Sequence, residues 1–267
     1  MGSKAVLALT ALAGVLGVIA APSAASLPSL GPDEHALYGP YAEVWRVPSQ
    51  RREIALTFDD GPFPFYTPML LHALDLEHAS ATFFVVGRSA QEFPELVERI
   101  VASGDEIGNH TFNHYHMTRL TNGEIAYQIV AAGQLLERFT GHRLALFRPP
   151  FGRYDRRVVY IAHALGYQTI FWSDIPGDTE KDVSPESIAA RAVAQATPGG
   201  IILLHSGHDA TIDAVPIIIA RLRSQGYEFV TVGRLLSGPT QADTINRMRS
   251  RTPEEPATLP PRKSPKR

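Results

Sequence analysis

The chain contains no cysteine. That excludes a disulfide framework and a cysteine-borne lipid anchor, and it rules out thiolate metal ligation, so any metal must be held by histidine and carboxylate. Net charge is nearly absent too: 25 Lys and Arg stand against 27 Asp and Glu, or -2 overall. There is then no general electrostatic case for a nucleic-acid or acidic-membrane partner. Long apolar runs are missing except at residues 5–21, which follow Lys4 and end at small residues, Ser23-Ala24-Ala25. This run is short for a membrane span and has the build of a signal peptide cleaved after Ala25, so the mature protein is expected to be exported, periplasmic or extracellular, with no stable membrane insertion.

What is present is 267 residues at 44% hydrophobic content, enough for one sizeable core. Residues 26–50, rich in Pro, Gly and Tyr, read as an extension leading into a domain at 51–237. Residues 238–267 carry seven basic against three acidic residues and little to bury, which reads as a disordered basic tail. Within the domain, strand-like segments at 54–58, 81–86, 106–109, 144–147, 168–172, 201–205 and 227–231 alternate with helical patterns. Those helices are expected at 68–77, 94–103, 122–140, 155–165, 187–196 and 213–224. About seven βα repeats imply a parallel α/β sheet. Asp59, Asp60, His110, Arg148, Asp174 and His205 all fall at or just past strand carboxyl ends, where (β/α) barrels build their sites, so an irregular barrel is expected.

The densest chemical signal is Thr57-Phe58-Asp59-Asp60-Gly61-Pro62. A β-favouring run stops at two carboxylates and is broken by Gly-Pro, so the acids sit at a strand end and, by the strand's period of two, on opposite sides. Alone, the pair would read as a turn. Downstream, however, His110-Thr111-Phe112-Asn113-His114 adds two imidazoles, and Asp, His and His with one position open suit a catalytic zinc. These residues alone do not decide which aspartate ligates and which acts as a base.

Four motifs in order resemble the polysaccharide deacetylases of carbohydrate esterase family four: the Thr57–Pro62 segment, His110 to His114, Arg148-Pro149-Pro150-Phe151-Gly152, and Leu203-Leu204-His205. The resemblance spans about residues 51–236 and implies an irregular (β/α) barrel. It implies a metal, zinc by its ligand set, on Asp60, His110 and His114, with Asp59 as general base on the metal-activated water and Arg148 holding Asp59 ionised. It further implies that the Phe151 N–H aids the oxyanion, that Leu203 lines the acetyl-methyl pocket, and that His205 is the general acid.

The departure lies in Trp172-Ser173-Asp174-Ile175-Pro176-Gly177-Asp178-Thr179. The family pattern is Asp-x-x-Asp-Trp. With Trp172 aligned, Ile175 replaces the first acid, Asp178 keeps the second, and Thr179 replaces the tryptophan. The partner of His205 is then Asp178, or Asp174 under a shifted register. Trp172 and Tyr154 are candidates for the sugar platform that Thr179 does not supply. His72, His78, His142 and His163 read as surface or packing residues, and His116 and His208 as neighbours of the site without a ligand role.

The expected activity is hydrolysis of N-acetyl or O-acetyl groups on an acetylated glycan, chitin-type or peptidoglycan. The rivals are hydrolysis of a non-sugar amide on the same barrel and a sugar-binding module that has lost catalysis. Retention of Asp59, Asp60, His110, His114 and His205 weighs against the last. Sequence carries no signal for oligomeric state.

Overall fold

Period-two alternation decides which way each strand faces. In β2 (Glu53–Asp59), Ile54, Leu56 and Phe58 join the large apolar cluster under the helices, while Ala55, Thr57 and Asp59 take the opposite face. β7 (Gly200–His205) lies parallel to it in matching register, Thr57 beside Leu203 and Asp59 beside His205, so those four share the inner face. The same parity sends Leu146 of β5 (Leu146–Phe147) inward, and Arg148 with it.

The computed structural model describes residues 43–238; the expected signal segment, the extension up to residue 42 and the tail from residue 239 lie outside the described residues. β3 (Ala81–Val85) follows β2, then β4 (Glu106–Asn109), β5 and β6 (Gln168–Ile170), all parallel. β1 (Glu43–Val44) adds to β6, giving the order β1-β6-β5-β4-β3-β2-β7, and β8 (Glu228–Phe229) pairs with the start of β2. Past β6 the chain stays extended and Asp174 bridges Ile202 of β7, with the Leu203 N–H donating to the Asp174 carbonyl at 2.9 Å. That contact brings the chain past β6 against β7 and closes the strands into an irregular barrel.

Around it pack α1 (Tyr66–Leu76), α2 (Gly87–Glu92), α3 (Pro94–Ala102), α4 (Asn122–Thr140), α5 (Arg156–Ala164), α6 (Pro185–Gln195), α7 (Asp209–Ser224) and α8 (Val232–Ser237). Their starts follow sequence rules. Thr121 and Glu124 form a capping box on α4, and Asp155, Ser184 and Thr231 cap α5, α6 and α8. α8 seals the amino-terminal mouth: the Val232 N–H donates to Thr82 Oγ1 and the Gly233 N–H to Glu106 Oε2, both at 2.9 Å, while Val232 and Leu235 join the inner apolar cluster. The carboxyl-terminal mouth remains for chemistry.

Three elements differ from expectation by existing at all. β1, α2 and α8 span two to six residues, too short to show a period, and β1 places a strand within the segment that reads as an extension. α7 begins at Asp209 rather than 213, and the closing strand shortens to two residues.

β1 and the barrel are joined at Gly199. Its φ is +77°, the Val47 N–H donates to its carbonyl at 2.9 Å, and a Cβ there would sit 1.6 Å from the Val47 carbonyl oxygen. Gly199→Ala is expected to cost about 2 kcal/mol or more, read as a lower denaturant midpoint. Gly123→Ala, where a Cβ meets open space on α4, should instead stabilise by about 0.5–1 kcal/mol in the same measurement.

Candidate active site

β2 delivers Asp59 against a fully buried guanidinium. Arg148 Nη1 donates to Asp59 Oδ1 at 2.7 Å and to Thr57 Oγ1 at 2.8 Å, while Nε and Nη2 donate to the Ile170 and Phe171 carbonyls at 3.2 and 3.0 Å. The Phe84 ring lies 3.9 Å beneath the guanidinium carbon. Burial pulls the Arg148 pKa below its ordinary value and the Asp59 charge opposes that pull; an arginine remains protonated regardless. Asp59 Oδ1 is thereby committed, and Oδ2 faces His110 Nε2 at 3.8 Å.

Asp60 does not point to the opposite side from Asp59, as strand alternation implies. β2 ends at Asp59, and Asp60 adopts φ 77° ahead of a cis Gly61-Pro62 bond, so the backbone turns and brings the second carboxylate to the same imidazoles. Its Oδ1 stands 3.5 Å from His110 Nε2 and 2.9 Å from His114 Nε2. Burial would raise the Asp60 pKa; the His110 and His114 imidazoles beside it outweigh that and hold the carboxyl well below the usual range.

The two histidines reach this point through a turn, not a helix. His110 sits just past β4, and its Nδ1 lies 2.8 Å from the Arg148 carbonyl oxygen. As donor in that bond it leaves a lone pair on Nε2, facing the aspartates. Thr111 and His114 both take positive φ, 68° and 59°. Asn109 Oδ1 accepts from the Thr111 N–H and Thr111 Oγ1 from the His114 N–H, while Gln128 of α4 accepts from the Asn113 N–H.

The donor set fits a divalent cation. Ligand atoms of Asp60, His110 and His114 lie within 4.8 Å of one another. His114 Nε2 is buried and, despite its closeness to Asp60, has no hydrogen bond of acceptable geometry. Two imidazoles with one carboxylate, converging from three side chains, form a zinc-type set with room for further ligands.

Across a cleft of about 260 Å³ stands His205. Its Nδ1 lies 3.0 Å from Asp178 Oδ1, and its backbone N–H donates to Asp178 Oδ2 at 2.7 Å; Thr211 Oγ1 donates to that same oxygen at 2.8 Å. Burial would lower the His205 pKa, but the hydrogen bond and charge of Asp178, with Asp59 and Asp60 adding, push it up to about 9. Of the two acids the sequence left open, Asp178 is the one that reaches the histidine.

Asp174 is not at the site. The extended chain past β6 sets it level with Ile202, three residues short of His205, where its Oδ2 is buried without a hydrogen-bond partner. Tyr154 is also elsewhere: its ring packs on Phe171 at 4.5 Å and its hydroxyl donates to Glu43 of β1 at 3.2 Å, which holds it off the cleft lining. Phe151, Trp172, Leu203 and Thr179 do line the cleft. Phe151, half exposed with φ 61°, stacks on His116 at 4.2 Å. Sequence reading gave no role to Thr57, Gly152 or Thr211; a Cβ on Gly152 would strike the Trp172 ring at 2.5 Å, and a threonine opening α7 carries no signal of its carboxylate partner. A larger recess of about 640 Å³ between α1 and α3 lacks any such convergence of ligands.

Comparison with known proteins agrees with this geometry. The polysaccharide deacetylase family profile matches residues 46–170. A peptidoglycan-N-acetylglucosamine deacetylase of Bacillus cereus is 40% identical over 198 residues, covering 72% of this chain and 92% of the relative. A chitooligosaccharide deacetylase of Azorhizobium caulinodans is 36% identical over 163 residues, 61% of this chain and 77% of its own. The crystal structure of the Bc1960 peptidoglycan N-acetylglucosamine deacetylase superposes with a TM-score of 0.69 at 35% identity, covering 72% of this chain and 91% of that one. With its motifs in place on the matching barrel, the chain belongs to the polysaccharide deacetylase family, carbohydrate esterase family four.

Proposed function

We propose that this carbohydrate deacetylase is an exported, metal-dependent enzyme that hydrolyses N-acetyl groups of a peptidoglycan- or chitin-type glycan. The observation that carries the reading is the two-walled cleft: Asp59, Asp60, His110 and His114 on one side, and the acid-paired His205 on the other. Its relatives named above act, by name, on such glycans. Export rests on the apolar segment at 5–21. Among the described residues, no helix is long and apolar enough to cross a membrane.

In this reading Asp60, His110 and His114 hold the cation, zinc by the donor set. A cation there supplies Lewis acidity, lowering the pKa of water and polarising a carbonyl oxygen. The protein's own groups do the rest. As water adds to the acetyl carbonyl, Asp59 accepts its proton, aimed by Arg148. The Phe151 N–H is assigned to the developing oxyanion, because Pro150 has no N–H to give. Leu203 packs against the acetyl methyl. His205, charged and oriented by Asp178, protonates the leaving amine, so that acetate and free amine separate.

His110→Ala and His114→Ala are each expected to lose bound zinc and acetate release together, measured by elemental analysis and an acetate assay on acetylated glycans. Asp59→Asn should retain zinc while acetate release falls about 10²- to 10⁴-fold. Full activity after complete chelation would refute the scheme.

The alkaline limb of kcat/KM tests His205. Its folded pKa, raised from 6.5 to about 9, keeps the imidazolium and its ion pair with Asp178 intact below about 6.5 and loses both as pH climbs through about 9. Activity should fall over that upper range. Asp178→Asn removes the charge and should draw the limb to lower pH, toward the ordinary histidine value; an unmoved limb would show that His205 is not the acid.

A further inference from the structure

The segment that carries Asp178 leaves the sheet after Asp174 and runs as residues 175–180 without a neighbouring strand. Alternate residues turn inward, Asp174, Pro176 and Asp178 being buried while Ile175 and Thr179 are exposed. Such a segment needs partners for its peptide groups. They come from two side chains one turn apart at the end of α6. Gln195 Oε1 accepts from the Ile175 N–H at 2.9 Å, and Gln195 Nε2 donates to the Ile175 carbonyl at 3.2 Å. A single side-chain amide thus pairs with both peptide groups of one residue, as an adjoining strand would.

Arg191 continues the pattern. Its Nη1 donates to the Pro176 carbonyl at 3.1 Å and pairs with Glu180 Oε2 at 2.8 Å, so it ties both sides of Asp178. Gly177, at φ 73°, gives it room: a Cβ there would lie 2.6 Å from Arg191 Nη1. Gln195 Nε2 also donates to the Arg191 carbonyl at 3.2 Å, which links the two. Neither residue lines the cleft.

We infer that Gln195 and Arg191 are positioning residues, an amide-and-guanidinium clamp on α6 that sets the Asp178 carboxylate against His205 and presents Ile175 and Thr179 to the sugar-binding rim. The assignment rests on the proposed role of His205 as acid. The geometry explains why an exposed glutamine at a helix end bears on chemistry: with the Ile175 peptide released, the loop pivots about Asp174, whose carbonyl stays held by the Leu203 N–H, and Asp178 loses its register with His205. Thr211 and the His205 backbone N–H both grip only Oδ2, so the aim of Oδ1 at His205 Nδ1 is left to the loop that carries Asp178.

The test compares wild type with Gln195→Ala and the near-isosteric Gln195→Glu, which keeps an acceptor for the Ile175 N–H but loses the donor to its carbonyl. Two readouts are taken: the NMR titration of the His205 imidazole in the zinc-loaded protein, and the pH profile of acetate release from an N-acetylated glycan. The groups facing His205 are Asp178, Asp59, Asp60 and His208, and none is altered. Losing one or two hydrogen bonds of ordinary worth, Gln195→Ala should lower kcat by roughly three- to tenfold and bring the His205 titration down by roughly 0.5 to 1 pH, with Gln195→Glu between it and wild type. Unchanged titration in both variants overturns the clamp, whether or not the melting temperature falls, because a purely structural role would move only the latter. A shifted titration with no acetate release from any glycan, in variant and wild type alike, would uphold the clamp and overturn the deacetylase reading instead.

Discussion

A guanidinium removed from water must have its N–H groups met and its charge answered, or the desolvation penalty of several kcal/mol goes uncompensated. Arg148 meets that requirement with atoms from two strands and the chain beyond them: Thr57 and Asp59 from β2, the Ile170 carbonyl from β6 and the Phe171 carbonyl just after it. Thr57 passes the linkage on by donating to the Ile202 carbonyl of β7, and the Arg148 carbonyl accepts from His110 after β4. One buried charge therefore fixes the relative height of β2, β4, β5, β6 and β7 at the mouth of the barrel. The Asp59 carboxylate and the His110 ring take their orientations from it.

Strain accumulates around that anchor. Asp60, Thr111, His114 and Phe151 all hold positive φ, each a non-glycine residue at a cost of order 1–3 kcal/mol. Such conformations last only where neighbours over-determine them. Asn109, buried and itself donating to the Ile129 carbonyl, holds Thr111, and Thr111 holds His114. Three of the four strained residues border the same few ångströms where Asp60, His110 and His114 converge. That is where a binding site's stored strain belongs.

Much of this was legible. The alternation in Glu53–Asp59 and Gly200–His205 places Asp59, Leu203 and His205 on one face from sequence alone, and the extent of α4 is written in Thr121, Glu124 and Gly141. What failed was what period-two reasoning cannot carry past a strand's end. Asp60 turns with its positive φ, Asp174 follows an extension of β6 that no turn signal announces, and Tyr154 is claimed by Glu43 from 111 residues away. β1 is invisible in the extension at residues 26–50 because two residues have no period, and the Thr211 contact with Asp178 spans 33 residues with only an ordinary threonine to mark it.

The two walls of the cleft place charge by different means, and this separates their proposed jobs. Asp59 is held at a buried arginine by rigid strand register, with one carboxylate oxygen committed to the guanidinium and the other left toward His110. His205 sits on an equally rigid strand but takes its partner from a loop; burial would lower its pKa, and Asp178, with Asp59 and Asp60 adding, raises it to about 9. An acid and a base a few ångströms apart must be kept from exchanging their proton, so their environments have to push their affinities apart. Here the partner of Asp59 is built into the barrel, whereas the push on His205 depends on how a strandless segment is held. It follows that changes at residues 175–177 or 179 can retune His205 without disturbing the wall of Asp60, His110 and His114, and that Ile175 and Thr179 need not imply loss of catalysis while Asp178 stays in place.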